Sequence, residues 1–163
     1  MLATPHILAG AATTRVIRIK PLGLVVALGL HQALDMVPHL DSHALFGAPG
    51  GLTRAEVAST AVDTVLGCIL LFWLIRRLPN RGYLIAGGLM GILIDLVDNV
   101  PPWSQWFRAW SVGAWISAFH HGHQYNVRPE QWVLGFGTQL AVVIASAWIL
   151  RKWGSRKVSS PSV

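Results

Sequence analysis

Charged residues are scarce in this chain, making up only 12% of its 163 residues, and glutamate occurs just twice, at Glu56 and Glu130. A soluble domain carries about 25% charged residues. Hydrophobic residues make up 53% of the chain, and the mean hydropathy is +0.49. A soluble protein of this length cannot bury so much apolar surface, so the composition excludes an ordinary soluble globule and a disordered chain. It predicts an all-α integral membrane protein.

Cysteine is almost absent, with Cys68 alone in an apolar run. A single cysteine excludes an internal disulfide and a thiolate zinc knuckle. A cleavable signal peptide is not evident either, because no short basic start leads into a compact apolar region with a small-residue cleavage site. We therefore expect the first long apolar segment to be retained as a membrane span.

Four apolar stretches cover residues 21–37, 57–75, 82–100 and 131–150. A helix needs about 20 residues to cross a hydrocarbon core of about 30 Å. The stretches therefore predict a polytopic bundle of four transmembrane helices. The Pro101-Pro102 pair is expected to stop the third helix, since proline cannot continue the helical hydrogen-bond pattern.

Two further helices are predicted outside these four spans. Thr4 and Pro5 are typical of a helix start, and a helix over residues 5–19 would be about 22 Å long. It would be a short fifth span entering from outside, or it would lie on the inner surface. Trp103, Trp106 and Trp110 share one helical face, which predicts an outer interfacial or re-entrant helix, or equally an aromatic face packed on the bundle.

The basic residues are distributed unevenly between the two sides of this predicted bundle. Ten lie on one side and three, Arg54, Arg108 and Arg128, on the other. The positive-inside rule places the ten in the cytoplasm, with a multi-pass domain over residues 1–153 and a polar cytoplasmic tail over residues 154–163. This topology explains the pI of about 10.5 without a nucleic-acid partner, and leaves the lipid bilayer as the expected partner. The ten residues are Arg15, Arg18, Lys20, Arg76, Arg77, Arg81, Arg151, Lys152, Arg156 and Lys157.

Acidic residues interrupt three of the four spans at one predicted depth. Counted from the inner boundary, Asp35 lies about 21 Å up its helix, and Asp63 and Asp95 each lie about 18 Å up theirs. Acids inside a bilayer are costly and face a bundle interior, a cavity or a partner. His31 shares a helix face with Asp35, and Asp98 shares one with Asp95. The shared depth predicts one polar site in the outer half of the membrane.

Histidines map to the same outer end. His39 and His43 follow the helix-ending Pro38, and the run His120, His121, His123 precedes the last span. Imidazole and carboxylate without thiolate suit zinc, with manganese or iron as alternatives, and the number of ligands would allow two bridged metals. Taken singly, most of these residues have a structural explanation, such as a solvated loop position for His43 or polar contact between helices for Asp63.

We nevertheless predict a joint site in which side chains from several helices hold a divalent metal and a further acid acts as base. The predicted ligands are Asp35, Asp95, His39 and one or both of His120 and His121, with His123 as a neighbouring candidate, and the predicted base is Asp98 or Asp63.

Several motifs occur in a recognisable order. They are Thr4–Gly10 (TPHILAG), His31-x-x-x-Asp35-x-x-Pro38-His39-x-Asp41, Asp95-x-x-Asp98 and His120-His121. Together they resemble the small bacterial inner-membrane proteins known as predicted metal-dependent hydrolases, of which the LexA-regulated hydrolase-like membrane proteins are one branch. The resemblance covers nearly the whole chain and implies a compact helical membrane domain. The ligands that it implies are His6, His31, Asp35, His39, Asp95, Asp98 and His120 or His121.

Two classes of function follow from these patterns. The first is a membrane-embedded, metal-dependent hydrolase whose substrate, a lipid, a lipid-linked phosphate or a peptide, is reached near the outer leaflet. The second is a non-catalytic small subunit of a larger respiratory or photosynthetic membrane complex, with structural or haem- or pigment-ligating histidines and the eight tryptophans as contact surface. A proton or metal transporter ranks lower, because the polar residues cluster at one end only.

Overall fold

The protein is described by a computed structural model over residues 1–48 and 53–152. These residues form eight α-helices and one 3-10 turn, Pro129–Gln131, without a β-strand, which confirms the all-α class. The predicted tail over residues 154–163, with Arg156 and Lys157, lies outside the described residues. The helices are α1 Ala3–Val16, α2 Lys20–Asp35, α3 Ser42–Phe46, α4 Arg54–Ile75, α5 Arg81–Asn99, α6 Trp103–Ala109, α7 Ser111–Gly122 and α8 Trp132–Lys152.

Three helical segments in the described part of the chain are long and apolar enough to cross a membrane. They are Arg54–Ile75, Arg81–Asn99 and Pro129–Lys152. Helix α2 was expected to be a fourth span, but its 16 residues extend for only about 24 Å, less than the hydrocarbon core of a typical bilayer. Three candidate spans are therefore established, and the crossing by α2 remains a prediction.

The ends of the helices follow from local chemistry. Helix α5 ends at Asn99, just ahead of Pro101 and Pro102, as expected. Between α4 and α5 the chain turns at Asn80, whose φ of 58° is left-handed, a conformation that asparagine tolerates better than most residues. Thr53 accepts a hydrogen bond from the Glu56 amide at 3.0 Å and thereby caps α4.

Helix α1 lies at the centre of the bundle, in contact with α2, α4, α5 and α8. Nine of its 14 residues are buried, so the alternative of a helix on the membrane surface is wrong. The expected helix start is also wrong, because α1 begins two residues earlier, at Ala3, without a side-chain cap of its own. Side chains from two other helices accept its free amides instead: Gln139 accepts from Leu2 at 2.9 Å and Asp63 accepts from Thr4 at 3.0 Å.

Close packing of α1 on α5 depends on glycine. A Cβ atom built on Gly91 would collide with the carbonyl oxygen of His6, and one on Gly87 would collide with the side chain of Thr14. A Cβ atom on Gly10 would likewise meet the Gly87 carbonyl oxygen. The Gly87-x-x-x-Gly91 spacing is a pattern of small residues that lets helices approach closely, and its partner here is α1.

The helices alternate in direction, which gives the bundle two unlike ends. The starts of α1, α4 and α8 meet the ends of α2 and α5 at one end, which we call the polar end. At the opposite end, called the basic end, the helices are flanked by the eight described members of the predicted cytoplasmic cation set. An apolar cluster connects the two ends and contains Ile7, Leu8, Ala11, Ala12, Leu71, Leu74, Ile75, Leu84, Ile92 and Leu150.

The aromatic segment after α5 forms two helices, α6 and α7, where one was expected. The chain is extended at Trp110, between the last residue of α6 and the first of α7. Trp106 is 71% exposed and Trp115 67% exposed, so the alternative of an aromatic face packed on the bundle is wrong. The break turns α7 so that its last turn carries His120 into the polar end, where it is fully buried.

Candidate metal site

The centre of the polar end is the carboxylate of Asp35, at the last residue of α2, which is only 1% exposed. Its Oδ2 atom lies 3.4 Å from Nε2 of His31, one turn earlier on the same helix, and 3.2 Å from Nε2 of His120 on α7. The two Nε2 atoms are themselves 3.2 Å apart. Three potential ligand atoms from two helices therefore converge on one point.

Asp95 of α5 adds a fourth atom to this group. Its Oδ1 atom lies 3.7 Å from Nε2 of His31 and 3.6 Å from Nε2 of His120. Ligands about 2.0–2.2 Å from a tetrahedral ion are about 3.3–3.6 Å from one another, close to the separations here. We call His31, Asp35, Asp95 and His120 the tetrad.

The hydrogen bonds of the two imidazoles fix which nitrogen faces the tetrad. Nδ1 of His31 donates to the carbonyl oxygen of Gly91 at 2.7 Å, and Nδ1 of His120 donates to Oδ2 of Asp98 at 3.4 Å. Nε2 of His120 also accepts from the amide of Gln124 at 3.0 Å. With Nδ1 protonated on both rings, Nε2 is the acceptor nitrogen that faces the carboxylates. A cation among these four acceptors would displace the Gln124 amide from the single lone pair of His120 Nε2.

Asp98 lies behind His120 and is fully buried. Arg108 of α6 donates to its Oδ1 at 2.7 Å and to its backbone carbonyl at 2.6 Å. Nδ1 of His121 lies 3.2 Å from its Oδ2. A carboxylate that accepts from the distal nitrogen of an imidazole orients that ring, as in carboxylate–histidine–zinc groups. Asp98 and Arg108 thus attach the α6–α7 pair to α5 and orient His120.

The second oxygen of Asp35 faces a different set of groups. Oδ1 lies 2.6 Å from the amino nitrogen of Met1, 3.1 Å from Nε2 of His6 and 3.9 Å from Nε2 of His39. His6 also stacks on the ring of His31, with 4.2 Å between ring centroids. His6 therefore contacts groups on both sides of the Asp35 carboxylate. The carboxylate of Asp35 therefore separates two groups of imidazoles.

Electrostatic surroundings differ between two histidines that lie outside the candidate spans. Burial, together with the Met1 ammonium, lowers the pKa of His39, because the charged imidazolium loses its hydration there. Burial also opposes charge on His120, but the hydrogen bond to Asp35 and the charge of Asp95 outweigh it and raise the pKa of His120. His120 is therefore more readily protonated than His39 when no metal ion is bound.

Three groups of residues have geometry that could hold a metal ion, with ligand atoms within 4.8 Å of one another. His31 belongs to two of these groups and His120 to two, so the groups overlap in one polar network. Of the predicted ligands, the tetrad members, His6 and His121 belong to these groups, whereas His39 belongs to none of them and lies 3.9 Å from Oδ1 of Asp35. The groups are His31–Asp35–His120, His6–His31–Asp95 and Asp98–His120–His121.

Other predicted residues lie elsewhere. Asp63, a predicted base, accepts the Thr4 amide at the start of α1. His123, a candidate ligand, is exposed and bonds through Nδ1 to the carbonyl oxygen of Phe119, one turn earlier. His43 lies in α3, where its Nδ1 is 3.1 Å from Oε1 of Glu56. None of these three side chains belongs to a ligand group within the described residues.

Access to the tetrad differs from one ligand to the next. His31, Asp35 and His120 are each no more than 1% exposed, whereas 29% of the Asp95 side chain is exposed. Asn99, one turn along α5, donates to Oδ1 of Asp95 at 3.3 Å. A ligand from outside would therefore approach the tetrad from the side of Asp95.

Two functional contacts were missed in the sequence. Gln124 bonds to His120 one helical turn earlier, and the i, i+4 spacing was the available signal. The pairing of Arg108 with Asp98 is the second contact, since the sequence indicated Arg108 only as one of three basic residues on the outer side. An arginine in a tryptophan-rich segment beside a membrane is expected to pair with an acidic side chain. Asp98 was an acid to which no basic partner had been assigned.

The chain matches no family model, no curated protein and no solved structure. The resemblance to predicted metal-dependent hydrolases therefore stays an expectation, and the geometry of the polar end carries the functional argument.

Proposed function

We propose that this protein is a multi-pass membrane metalloprotein that hydrolyses a lipid or a lipid-linked phosphate near the outer leaflet. The observation that supports it is the tetrad, in which the two imidazole Nε2 atoms lie 3.2 Å apart and each lies 3.2–3.7 Å from a carboxylate oxygen of Asp35 and of Asp95. Two of these atoms are imidazole lone pairs and two are carboxylate oxygens. One divalent cation would satisfy all four, whereas a proton on Nε2 of His120 satisfies only part of the group, through its contact with Asp35.

Zinc is the metal that we propose for this site. It takes four nitrogen and oxygen ligands in a tetrahedral arrangement, and histidine with aspartate is an ordinary donor set for it. Manganese and iron accept the same donors and are the alternatives. A bound divalent ion polarises a phosphoryl or acyl oxygen and lowers the pKa of water, which is the chemistry that a hydrolase needs.

The membrane arrangement that we propose contains four spans, with α2 as the short fourth. A helix shorter than the bilayer is accommodated by local thinning at modest cost. The eight described cations at the basic end support a cytoplasmic location for that end, and hence for the C-terminus. Location in a bacterial inner membrane follows from the resemblance to the hydrolase-like proteins.

Within this function, the side chains around the tetrad take separate roles. Asp95, the most exposed ligand, lies where a substrate ester would enter. Asp98 holds the ring of His120 and is neutralised by Arg108, so we propose that it is a positioning residue in place of the base expected for it. Asp63 holds the start of α1 and thereby supports His6.

Metal analysis tests the ligand assignment. We expect the full chain, purified in detergent and analysed by elemental mass spectrometry, to contain bound zinc. His31→Asn keeps an amide donor for the Gly91 carbonyl but removes the Nε2 lone pair, so it should lose at least one equivalent. Asp35→Ala should lose all of it, and His43→Gln, at an exposed imidazole outside the ligand groups, should bind as much as wild type. Equal zinc in all four proteins would contradict the assignment.

Hydrolysis is tested separately on the zinc-loaded protein. Release of phosphate from lipid phosphates in mixed micelles should occur with wild type and His43→Gln, and should fall to background with Asp35→Ala. Stoichiometric zinc without any hydrolysis would contradict the hydrolase proposal and leave the metal site intact.

A non-catalytic subunit of a larger membrane complex is the second candidate. It is favoured by the exposed tryptophans of the α6–α7 segment, since exposed aromatic side chains also suit a protein interface. Native purification decides between the two, because a stoichiometric complex supports the subunit and a single zinc-containing chain supports the enzyme.

A further inference from the structure

Asp35 has one carboxylate oxygen, Oδ1, that the tetrad does not use. We propose that Oδ1 of Asp35, Nε2 of His39 and Nε2 of His6 form a subsite for a second divalent cation, so that Asp35 bridges two ions. This inference rests on the proposed function, because it adds a second ion to the same polar end.

His39 is the residue that points to this subsite. Its Nδ1 donates to the carbonyl oxygen of Val37 at 2.8 Å, which leaves Nε2 as the lone-pair nitrogen. The residue is fully buried, and Nε2 has no hydrogen-bond partner among the residues that the structure describes. A buried acceptor without a partner costs about 1–3 kcal/mol. A bound cation would remove this cost.

Distances around Oδ1 suit an ion. Nε2 of His39 lies 3.9 Å from this oxygen, within the roughly 4.2 Å that separates two ligands placed on opposite sides of one ion at about 2.1 Å each. Nε2 of His6 donates a hydrogen bond to the same oxygen at 3.1 Å, and Nδ1 of His6 has no partner among the described residues, so the proton can move to Nδ1 and leave Nε2 to bind an ion. His6 itself is 1% exposed, so this ligand is shielded from bulk solvent.

Positive charge is already favoured at this oxygen. The amino nitrogen of Met1 lies 2.6 Å from Oδ1 with none of it exposed. Oδ1 thus accepts a cationic group on the side of Asp35 that faces away from the tetrad. A divalent ion bound to His39 and His6 would take the place of that ammonium.

Two neighbouring ions narrow the substrate class. Two-metal sites hold both the attacking and the leaving oxygen of a phosphoryl group in line, and are common in phosphatases and nucleases. Among the substrates considered for this protein, the second subsite therefore favours a lipid-linked phosphate ester over a carboxylic ester of a lipid.

The experiment counts ions and measures their coupling. Apo protein is titrated with Mn²⁺, with equilibrium binding and electron paramagnetic resonance recorded together. We expect wild type to bind two equivalents with an exchange-coupled spectrum. His39→Asn keeps a donor for the Val37 carbonyl but removes Nε2, and should bind one equivalent with the spectrum of an isolated ion. His43→Gln is the matched control and should behave as wild type.

Each other outcome overturns the inference in a recognisable way. One equivalent in both wild type and His39→Asn removes the second subsite while the tetrad and the proposed function stand. Two uncoupled ions would show that Asp35 is not a bridge. Loss of all binding in a folded, monodisperse His39→Asn protein would place His39 in the tetrad's own site. No binding by wild type would overturn both proposals.

Discussion

The two ends of the bundle use the same helices for opposite purposes. At the polar end, α1 and α5 bring buried imidazoles and carboxylates together around Asp35. Toward the basic end, the same two helices contribute Leu8 and Leu84 to a cluster without any polar side chain. Most of the cations there are exposed at the surface, where the guanidinium carbon of Arg151 lies 4.3 Å from the centroid of the Trp73 ring.

This difference separates what holds the fold from what carries the chemistry. In a bilayer, apolar side chains gain little from leaving lipid, so the apolar cluster is stabilised by packing. The polar end instead contains acceptors that repel one another and groups without partners, such as Nε2 of His39. We therefore expect the packing toward the basic end to be stable without metal, and the structure of the polar end to require a bound metal ion.

The largest effect should come from removal of the metal. A ligand present at about 100 to 1,000 times its dissociation constant stabilises a protein by about 3–4 kcal/mol. A strong chelator should lower the free energy of unfolding in detergent by that amount in wild type, and by far less in Asp35→Ala. Unfolding followed by tryptophan fluorescence measures it, and equal effects on both proteins would contradict a structural contribution of the ion.

Gly91→Ala should disturb both the packing of α1 on α5 and the polar end. The added methyl group collides with the backbone carbonyl of His6, which cannot rotate away, and the carbonyl of Gly91 is the acceptor for His31. We expect a loss of about 3 kcal/mol in stability, the upper part of the range for overpacking, together with weaker metal binding. Gly29→Ala is the control, because nothing lies within 4 Å of its added methyl group. Equal stability of the two variants would refute the close contact of α1 and α5.

Leu8→Ala should damage the apolar cluster alone. Leu8 is fully buried, and truncation leaves a cavity, whose cost persists in lipid even though the cost of transfer from water does not. We expect about 2 kcal/mol of destabilisation with an unchanged number of bound metal ions. A change in metal stoichiometry would show that the two ends are coupled more tightly than their contacts indicate.

Arg108→Gln should have the smallest effect, on affinity and not on the number of ions. The substitution removes the charge that holds Asp98, and Asp98 in turn orients His120. Arg108 therefore acts on the metal only indirectly, through two other side chains. We expect an approximately tenfold weaker metal affinity, about 1.4 kcal/mol, measured by competition with a chromogenic chelator. Arg54→Gln, at an exposed arginine, should leave the affinity unchanged.

Much of the fold could be predicted from sequence because a membrane-spanning helix is recognised from a local property, the length of its apolar stretch. The limits of α4 and α5 follow from apolar length and from flanking prolines and basic residues, and the shared depth of Asp35 and Asp95 anticipated their meeting. The central place of α1 could not be predicted, because it depends on which helix the glycines of α5 face. Hydrophobic patterning gives no information on that choice in a chain that is apolar on most sides.

The separate positions of the histidines were also beyond sequence. His120 and His123 are three residues apart, yet one is fully buried in the tetrad and the other is exposed. The difference arises from where α7 ends, at Gly122, and from the Arg108–Asp98 pair that sets the direction of the helix. Both depend on contacts between distant segments.

The central position of α1 has a consequence for biogenesis. His6 rests against the backbone of Gly91, and the amide of Leu2 is accepted by Gln139, in a helix synthesised more than a hundred residues later. Helix α1 is thus synthesised before the other described helices but completes its contacts only after α8 has been made. Until α8 emerges, the histidine-bearing start of α1 lacks its partner Gln139, so assembly of the polar end waits for the synthesis of α8.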